Sequence, residues 1–493
     1  MSSPTIITRP LSMSENFLRS RSSTGFYNNF QVTATYSHDL TADLTLLYRA
    51  LRKTILDYHI LICYIVKNKS IGRCVYTPIS QARLKDLLIF RDSSYIDGNA
   101  INEKFMKEVN DVVFELHEDS PLFKLIIVGK HDLSVVFEHT IADGVVGNYF
   151  HEILLQNLAY VDDPLNTSDY EANYGLHEAS VLDINENSVI FDYEKDKALI
   201  KNNLPPPIDD FLADPDLDYS DNDPLYFDKV VPEKFPKKWP GKFPATRHFK
   251  VSFKLINFTP SETKKILAAC KREKVTLTSY IEVITVLSLQ PIFGDDHYTT
   301  HKVALTLRRH YDPKIASDEY KSLLSDKSYK ILGASANNGI SENLPPVHEF
   351  SWDLASRINA NLLKTTQNKK ILNSLNPFKQ MADGLDHNLQ FFESQLGKPK
   401  NDALKISNLG LIKFPVYEIS GKQPWTIRNM IFSQSLSPPA SEFMLNVVST
   451  SENGLNFVLS YDDRFNDAQF NNFDLKLRQN MLKYCDDSYR TRL

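Results

Sequence analysis

Cysteine is scarce in this sequence: Cys63, Cys74, Cys270 and Cys485 are the only four in 493 residues. They stand far apart and form no Cys-x-x-Cys pair, which argues against a zinc ribbon or a disulfide scaffold and fits a reducing compartment. Long apolar runs are missing too. The longest, such as His59-Ile60-Leu61-Ile62-Cys63-Tyr64-Ile65-Val66, is strand-sized and well short of the roughly 18 residues that span a bilayer. The start, Met1-Ser2-Ser3-Pro4, lacks the charged-then-apolar layout of a secretory leader, so none is expected. Basic charge is not in excess either. With 56 basic against 61 acidic residues the formal charge is -5, which predicts no nucleic-acid partner. Nor is there a Gly-x-Ser-x-Gly elbow, a phosphate-loop Lys-Ser/Thr, a dinucleotide glycine set or a His-Glu-x-x-His.

What is present is globular: 42% hydrophobic and 24% charged residues, rich in Phe and Tyr. The length predicts two or three domains. Residues 1–25 are Ser- and Arg-rich with little periodicity and read as a loose arm. Leu44, Leu47, Leu51 and Ile55 have helical spacing, and an apolar strand follows from Leu61. Phe105 to Phe114 fits strand or helix. From residue 161 to 245 the chain turns acidic and proline-rich, which resists helix and central strand alike. The densest part, 201–245, reads as a long crossover between an N-terminal lobe (26–200) and a C-terminal lobe (246–493).

In the second half, Arg247 to Phe253 alternates as a strand, and Thr259 or Ser261 caps a helix. An apolar helix over about 278–289 and a strand from Val303 to Arg309 follow. Phe443 to Thr450 and Leu455 to Tyr461 form a hairpin about Asn453-Gly454. The C-terminal helix, about 467–484, has enough Asp and Asn to favour packing on the body over a membrane surface.

The most readable chemistry lies at the end of the first lobe's own hairpin. Leu122 to Val128 and Leu133 to Glu138 are two strand-type runs about the turn Gly129-Lys130-His131-Asp132. Val146, Phe150, Ile153, Leu154 and Leu158 then mark one helix face, so His139-Thr140-Ile141-Ala142-Asp143-Gly144 lies where a strand passes into a helix. Of the 13 histidines only His139 has Asp at +4, and it also has Gly at +5. Histidine is mostly neutral at cytosolic pH and can take a proton from an attacking hydroxyl or amine. The alternatives are a core histidine donating to a backbone carbonyl and an Asp143 that merely caps the helix.

This hexapeptide, in a two-lobed chain of this length, resembles the coenzyme A-dependent acyltransferase superfamily. That superfamily includes chloramphenicol acetyltransferase, plant acyltransferases and peptide-synthetase condensation domains. Three further stretches are similar to the fungal alcohol acetyltransferase family. They are Gly25-Phe26-Tyr27-Asn28-Asn29-Phe30, Gly333-Ala334-Ser335-Ala336-Asn337-Asn338-Gly339 and Ile406-Ser407-Asn408-Leu409-Gly410. Some positions depart from the relatives. Glu138 stands where condensation domains carry a second histidine, Val145-Val146 replace a small polar pair, and the plant Asp-Phe-Gly-Trp-Gly segment is absent.

The resemblance implies two chloramphenicol acetyltransferase-like α/β lobes, each a mixed sheet with flanking helices, and an active-site tunnel between them. It makes His139 the general base, and Asp143 a structural aspartate paired with an arginine, Arg308 or, as the alternative, Arg309. Gly144, Asn337, Ser407 and Asn408 would line the substrate or coenzyme A tunnel; the alternative for the polar ones is a loop group bonding its own backbone. The expected co-substrate is acetyl-CoA, with no bound cofactor and no metal, and the expected acceptor is a short or medium alcohol. An amphipathic, sphingoid-like amine and a non-catalytic ligand-binding role are the rivals. A cytoplasmic monomer is expected, with peripheral contact to endoplasmic reticulum or lipid droplets open.

Overall fold

The computed structural model describes residues 6–175, 184–212, 230–367, 371–372, 375, 378 and 389–486, the side chains of 337–341 excepted. Within the first half these residues give helix α1 (Met13–Ser23), strand β1 (Phe30–Tyr36), α2 (Leu44–Asp57), β2 (Leu88–Arg91), α3 (Glu103–Asn110), β3 (Phe123–Val128), β4 (Asp132–Phe137) and α4 (Gly144–Asp162). The hairpin β3–β4 is antiparallel, with Phe137 opposite Phe123 and Asp132 opposite Val128. Nearly every residue of both strands is buried, which is why they read as continuous apolar runs rather than alternating ones. Beyond Asp143 the helix α4 packs on α2 and on β1. Gly147 lets α4 approach the sheet: a Cβ there would lie 2.3 Å from a methyl of Val32.

The second half contributes β5 (Val251–Phe258), α5 (Pro260–Arg272), α6 (Leu277–Phe293), β6 (Thr299–Thr306), β7 (Ala336–Leu344), α7 (Trp352–Gln367), β8 (Asp402–Ile412), β9 (Ile427–Gln434), β10 (Ser441–Thr450), β11 (Gly454–Asp462) and α8 (Phe473–Lys483). Six strands form one mixed sheet in the order β5-β11-β10-β8-β6-β7, its β10-β8 and β8-β6 pairs parallel. Gly454 closes the β10–β11 hairpin with φ +86°, and a side chain there would run into the carbonyl of Phe258. Thr259 caps α5 in a reciprocal box with Glu262. α6 is buried almost all round, between the sheet and helices α7 and α8. No single described helix is long and apolar enough to cross a membrane. The α5–α6 pair passes by composition but is bent by 106°.

The five-stranded sheet of the first lobe has the order β9-β1-β4-β3-β2, so its edge strand comes from the far end of the chain. β9 pairs antiparallel with β1, while its side-chain and backbone groups bond β10 and β11. Gln434 donates to Asn446 at 2.6 Å, Asn456 to the carbonyl of Met430 at 2.7 Å, and Ser460 to that of Gln434 at 2.8 Å. One strand thus belongs to both lobes.

Several expectations are corrected. Residues 1–25 are not a loose arm in their described part. Ser12 and Glu15 form a capping box for α1, and Arg9 pairs with Glu15 at 2.8 Å in nearly complete burial. Asp209 accepts from Met13 N at 2.6 Å and Pro205 O from Arg9 at 2.6 Å. The Pro-rich 201–245 stretch is therefore docked where it is described, with Leu204, Phe211 and Trp239 buried; its central 213–229 lie outside the described residues. The segment from Phe105, which fits strand or helix by sequence, is helical as far as Asn110, because Asn102 caps α3. The strand expected at Arg247 begins at Val251. The C-terminal helix is broken in two, and Phe473, Leu477 and Met481 bury its main part on the body.

Candidate active site

β4 ends at Phe137, and the four residues from His139 to Ala142 carry the chain to Asp143, the N-cap of α4. Two bonds hold this turn: Tyr76 donates to the carbonyl of Thr140 at 2.8 Å, and the Glu138 carboxylate accepts from Thr140 N. Asp143 is 1% exposed and uses both oxygens. Oδ1 accepts from Val145 N at 3.1 Å and Val146 N at 3.3 Å, and Oδ2 accepts from Arg308 Nη1 at 2.8 Å and Ser335 N at 2.9 Å. Arg308 is fully engaged as well, its Nε on Ile331 O at 3.1 Å and its Nη2 on Gly333 O at 2.6 Å. Arg309 is exposed and donates to Thr366 O at 3.0 Å. Of the two arginines it is Arg308 that reaches Asp143. The helix cap and the ion pair are one arrangement, and it ties the first lobe's turn to the second lobe's loop.

His139 opens on a cavity built from both lobes, which Asp143 also lines. Phe17, Leu18 and Arg21 enter it from α1, Lys405 and Ser407 from β8, and Phe432 and Gln434 from the shared strand β9. The rings of Phe30 and Tyr27 meet the imidazole edge-on at 5.2 and 5.4 Å. Nδ1 is buried and bonds no other residue among the described residues; the His139 backbone is the group near it. Burial, reinforced by the positive charges of Arg21 and Lys405, pushes the imidazole down to about 3, so it is neutral over the whole physiological range.

Gly144 lines the cavity, and it must be small: a Cβ would lie 2.9 Å from both Leu409 and Phe432 of the other lobe's strands. Ser407 lines it too. Asn408 does not; it donates to Thr278 Oγ1 at 3.0 Å and accepts from Gly410 N at 2.8 Å, the loop role weighed above. Asn337 lies on β7 opposite Leu305, and its side chain is outside the described residues.

Two cavity groups were not foreseen. Arg21 lays its guanidinium 3.9 Å over the Tyr27 ring and leaves Nε and Nη2 unbonded. Lys405 lies across from it, and burial brings its ammonium down to about 7. A signal existed for both. Ser12-x-x-Glu15 is a capping box that announces α1, and a period of two puts Lys405 on the Ser407 face of an otherwise apolar strand.

Comparison with known proteins settles the family. The profile of the alcohol acetyltransferase family matches residues 12–482. The chain belongs to the alcohol acetyltransferase family. It is 22% identical over 487 residues to a probable alcohol acetyltransferase, crmB, of Aspergillus fumigatus, covering 94% of this chain and 96% of that one. Among solved structures it is similar to the trichothecene 15-O-acetyltransferase TRI3 of Fusarium sporotrichioides (TM-score 0.64, 12% identity, 97% of this chain and 95% of that one). It is also similar to the first condensation domain of the calcium-dependent antibiotic synthetase (TM-score 0.56, 12% identity, 97% of each chain). The fold is thus the two-lobed acyltransferase one, and the family member is an acyl-transfer enzyme in kind.

Proposed function

We propose that this alcohol acetyltransferase family member moves an acetyl group from acetyl-CoA to the hydroxyl of an alcohol, with His139 as general base. The observation that carries the reading is a neutral imidazole opening on a cavity between the lobes, on a turn that Asp143 and Arg308 hold in place.

The proposed chemistry is direct. The acceptor hydroxyl gives its proton to the free ring nitrogen of His139 as its oxygen attacks the thioester carbonyl carbon. The tetrahedral intermediate then expels the coenzyme A thiolate, which takes the proton back from the imidazolium. A thioester is already activated and its leaving group is good, so no acetyl-enzyme is required. Keeping the base unprotonated is what burial achieves here; the low basicity that comes with it weakens proton transfer until bound substrate offsets the nearby positive charge. Asp143 touches no substrate in this scheme. It fixes the turn, and with it the direction of the imidazole.

The test is thiol release from acetyl-CoA by purified protein, across a panel of alcohols and long-chain amines, with His139→Ala as control. Release with alcohols that the variant loses supports ester synthesis. Release with amines alone keeps the base and moves the acceptor to the amine rival, and no release with any acceptor favours a binding role.

A further inference from the structure

The charges around the cavity do not balance. Asp143 is matched by Arg308, and Lys302 by Asp402 at 3.1 Å. Arg21 and Lys405 are left. Among the described residues Arg21 has no ion pair, and no hydrogen bond links Lys405 to a neighbour. Of the nearby carboxylates, Asp143 and Asp402 are matched by Arg308 and Lys302, and Glu138, which acts on Arg21, spends one oxygen on Thr140 N and leaves the other buried without a hydrogen bond among the described residues. Two half-buried cations against one carboxylate leave positive charge in excess, in an enclosure that Phe17, Leu18, Phe30 and Phe432 line beside Ser14, Ser407 and Gln434. An enclosed cation without a partner is costly, and such a charge is retained where a ligand supplies the counterion.

The arrangement of the free donors narrows the ligand. Nε and Nη2 form one edge of the guanidinium, the edge that takes a carboxylate side-on through two parallel bonds. Tyr27 fixes the plane of that fork by stacking against it. The phosphates of coenzyme A are separated from the thioester by the whole pantetheine arm, so cations that share a cavity with the base are not placed for them.

Accepting His139 as the site of transfer, we infer that Arg21, with Lys405, recognises a carboxylate carried by the substrate, so that the preferred substrate is an apolar molecule with an acid group near the reacting centre. The carboxylate belongs either to the acceptor, as in a hydroxy acid, or to the acyl group, as in a dicarboxylic acyl-CoA. A carboxylate at Arg21 also removes one of the charges that hold His139 neutral and weakly basic, and so makes the base stronger once substrate is bound.

The experiment compares twins. Thiol release is measured with acetyl-CoA and a hydroxy acid or the alcohol of the same chain length, and with the alcohol and malonyl- or succinyl-CoA in place of acetyl-CoA, for wild type, Arg21→Gln and Arg21→Lys. One member of a pair should exceed its neutral twin by at least about tenfold in kcat/KM. Arg21→Gln should bring the ratio close to one, chiefly through KM, and Arg21→Lys should restore part of it. A preference on the acceptor side assigns the carboxylate to the acceptor, and one on the donor side assigns it to the acyl group. Equal use of both twins by wild type overturns the proposal. So does an equal fall in kcat for both twins in Arg21→Gln, which would make Arg21 a transition-state group. Inhibition of the wild type by octanoate relative to octanol gives a reading that does not depend on the variants folding, and octanoate binding no tighter than octanol would contradict it. If the base assignment is what fails, His139→Ala turns over both twins, whatever the ratio.

Discussion

On one side of His139 the charged groups are all engaged: four donors meet the two oxygens of Asp143, and each nitrogen group of the Arg308 guanidinium has an acceptor. On the other side Arg21 keeps two buried donors unbonded, Glu138 keeps an oxygen unbonded, and Lys405 has no hydrogen-bond partner among the described residues. The same hexapeptide borders both. The difference separates what the protein uses to hold itself together from what it offers to a ligand, because a closed network resists change and an open one waits for a counter-charge.

Breaking the closed side should cost most. Arg308→Ala leaves a buried carboxylate without its cation, and a loss of about 3–5 kcal/mol in unfolding free energy is expected from urea titration. Next comes acid. Burial holds His151 down to about 4, its ring between Tyr36 OH at 2.9 Å and Val32 O at 3.0 Å. The unfolded chain binds that proton near the ordinary 6.5, so it holds more protons than the folded protein between the two values. Stability should therefore fall as pH drops from about 6.5 to 4, and a series of urea midpoints checks the slope. Asp143→Asn keeps the cap acceptor but removes the charge facing Arg308; about 1–3 kcal/mol is expected from urea titration, with activity reduced.

The open side should respond in the opposite way. Arg21→Gln removes an enclosed cation that has no partner, so the thermal midpoint should not fall. A drop comparable to that of Arg308→Ala would show that Arg21 belongs to the framework. Arg309→Ala is the smallest change, within about 0.5 kcal/mol, since the side chain is exposed and holds one surface bond.

Much of the closed side was legible. The strand runs 122–128 and 133–138 match β3 and β4 to within a residue or two, because a central hairpin buried on both faces leaves a continuous apolar signature. Asp143 reads as a cap because the helical period starts at the next residue. By sequence Arg308 is the choice with Arg309 as the alternative, since the turn that follows β6 decides which arginine points inward, and no periodic rule covers a single 3-10 turn. The open side was hidden for a different reason. Arg21 enters the cavity only because α1 is anchored by Asp209 and Pro205, nearly two hundred residues away, and such long-range docking leaves no mark in a local window. β9 is apolar and strand-like, but nothing in its own residues says that it completes the other lobe's sheet.

The most direct test of the central claim is the rate of thiol release from acetyl-CoA with an alcohol acceptor, for wild type and His139→Ala at matched folding. With His139 as general base the variant should lose about 10²–10⁴-fold in kcat, with KM little changed. A variant that releases thiol at close to the wild-type rate would contradict the account and return His139 to the role of a packed imidazole.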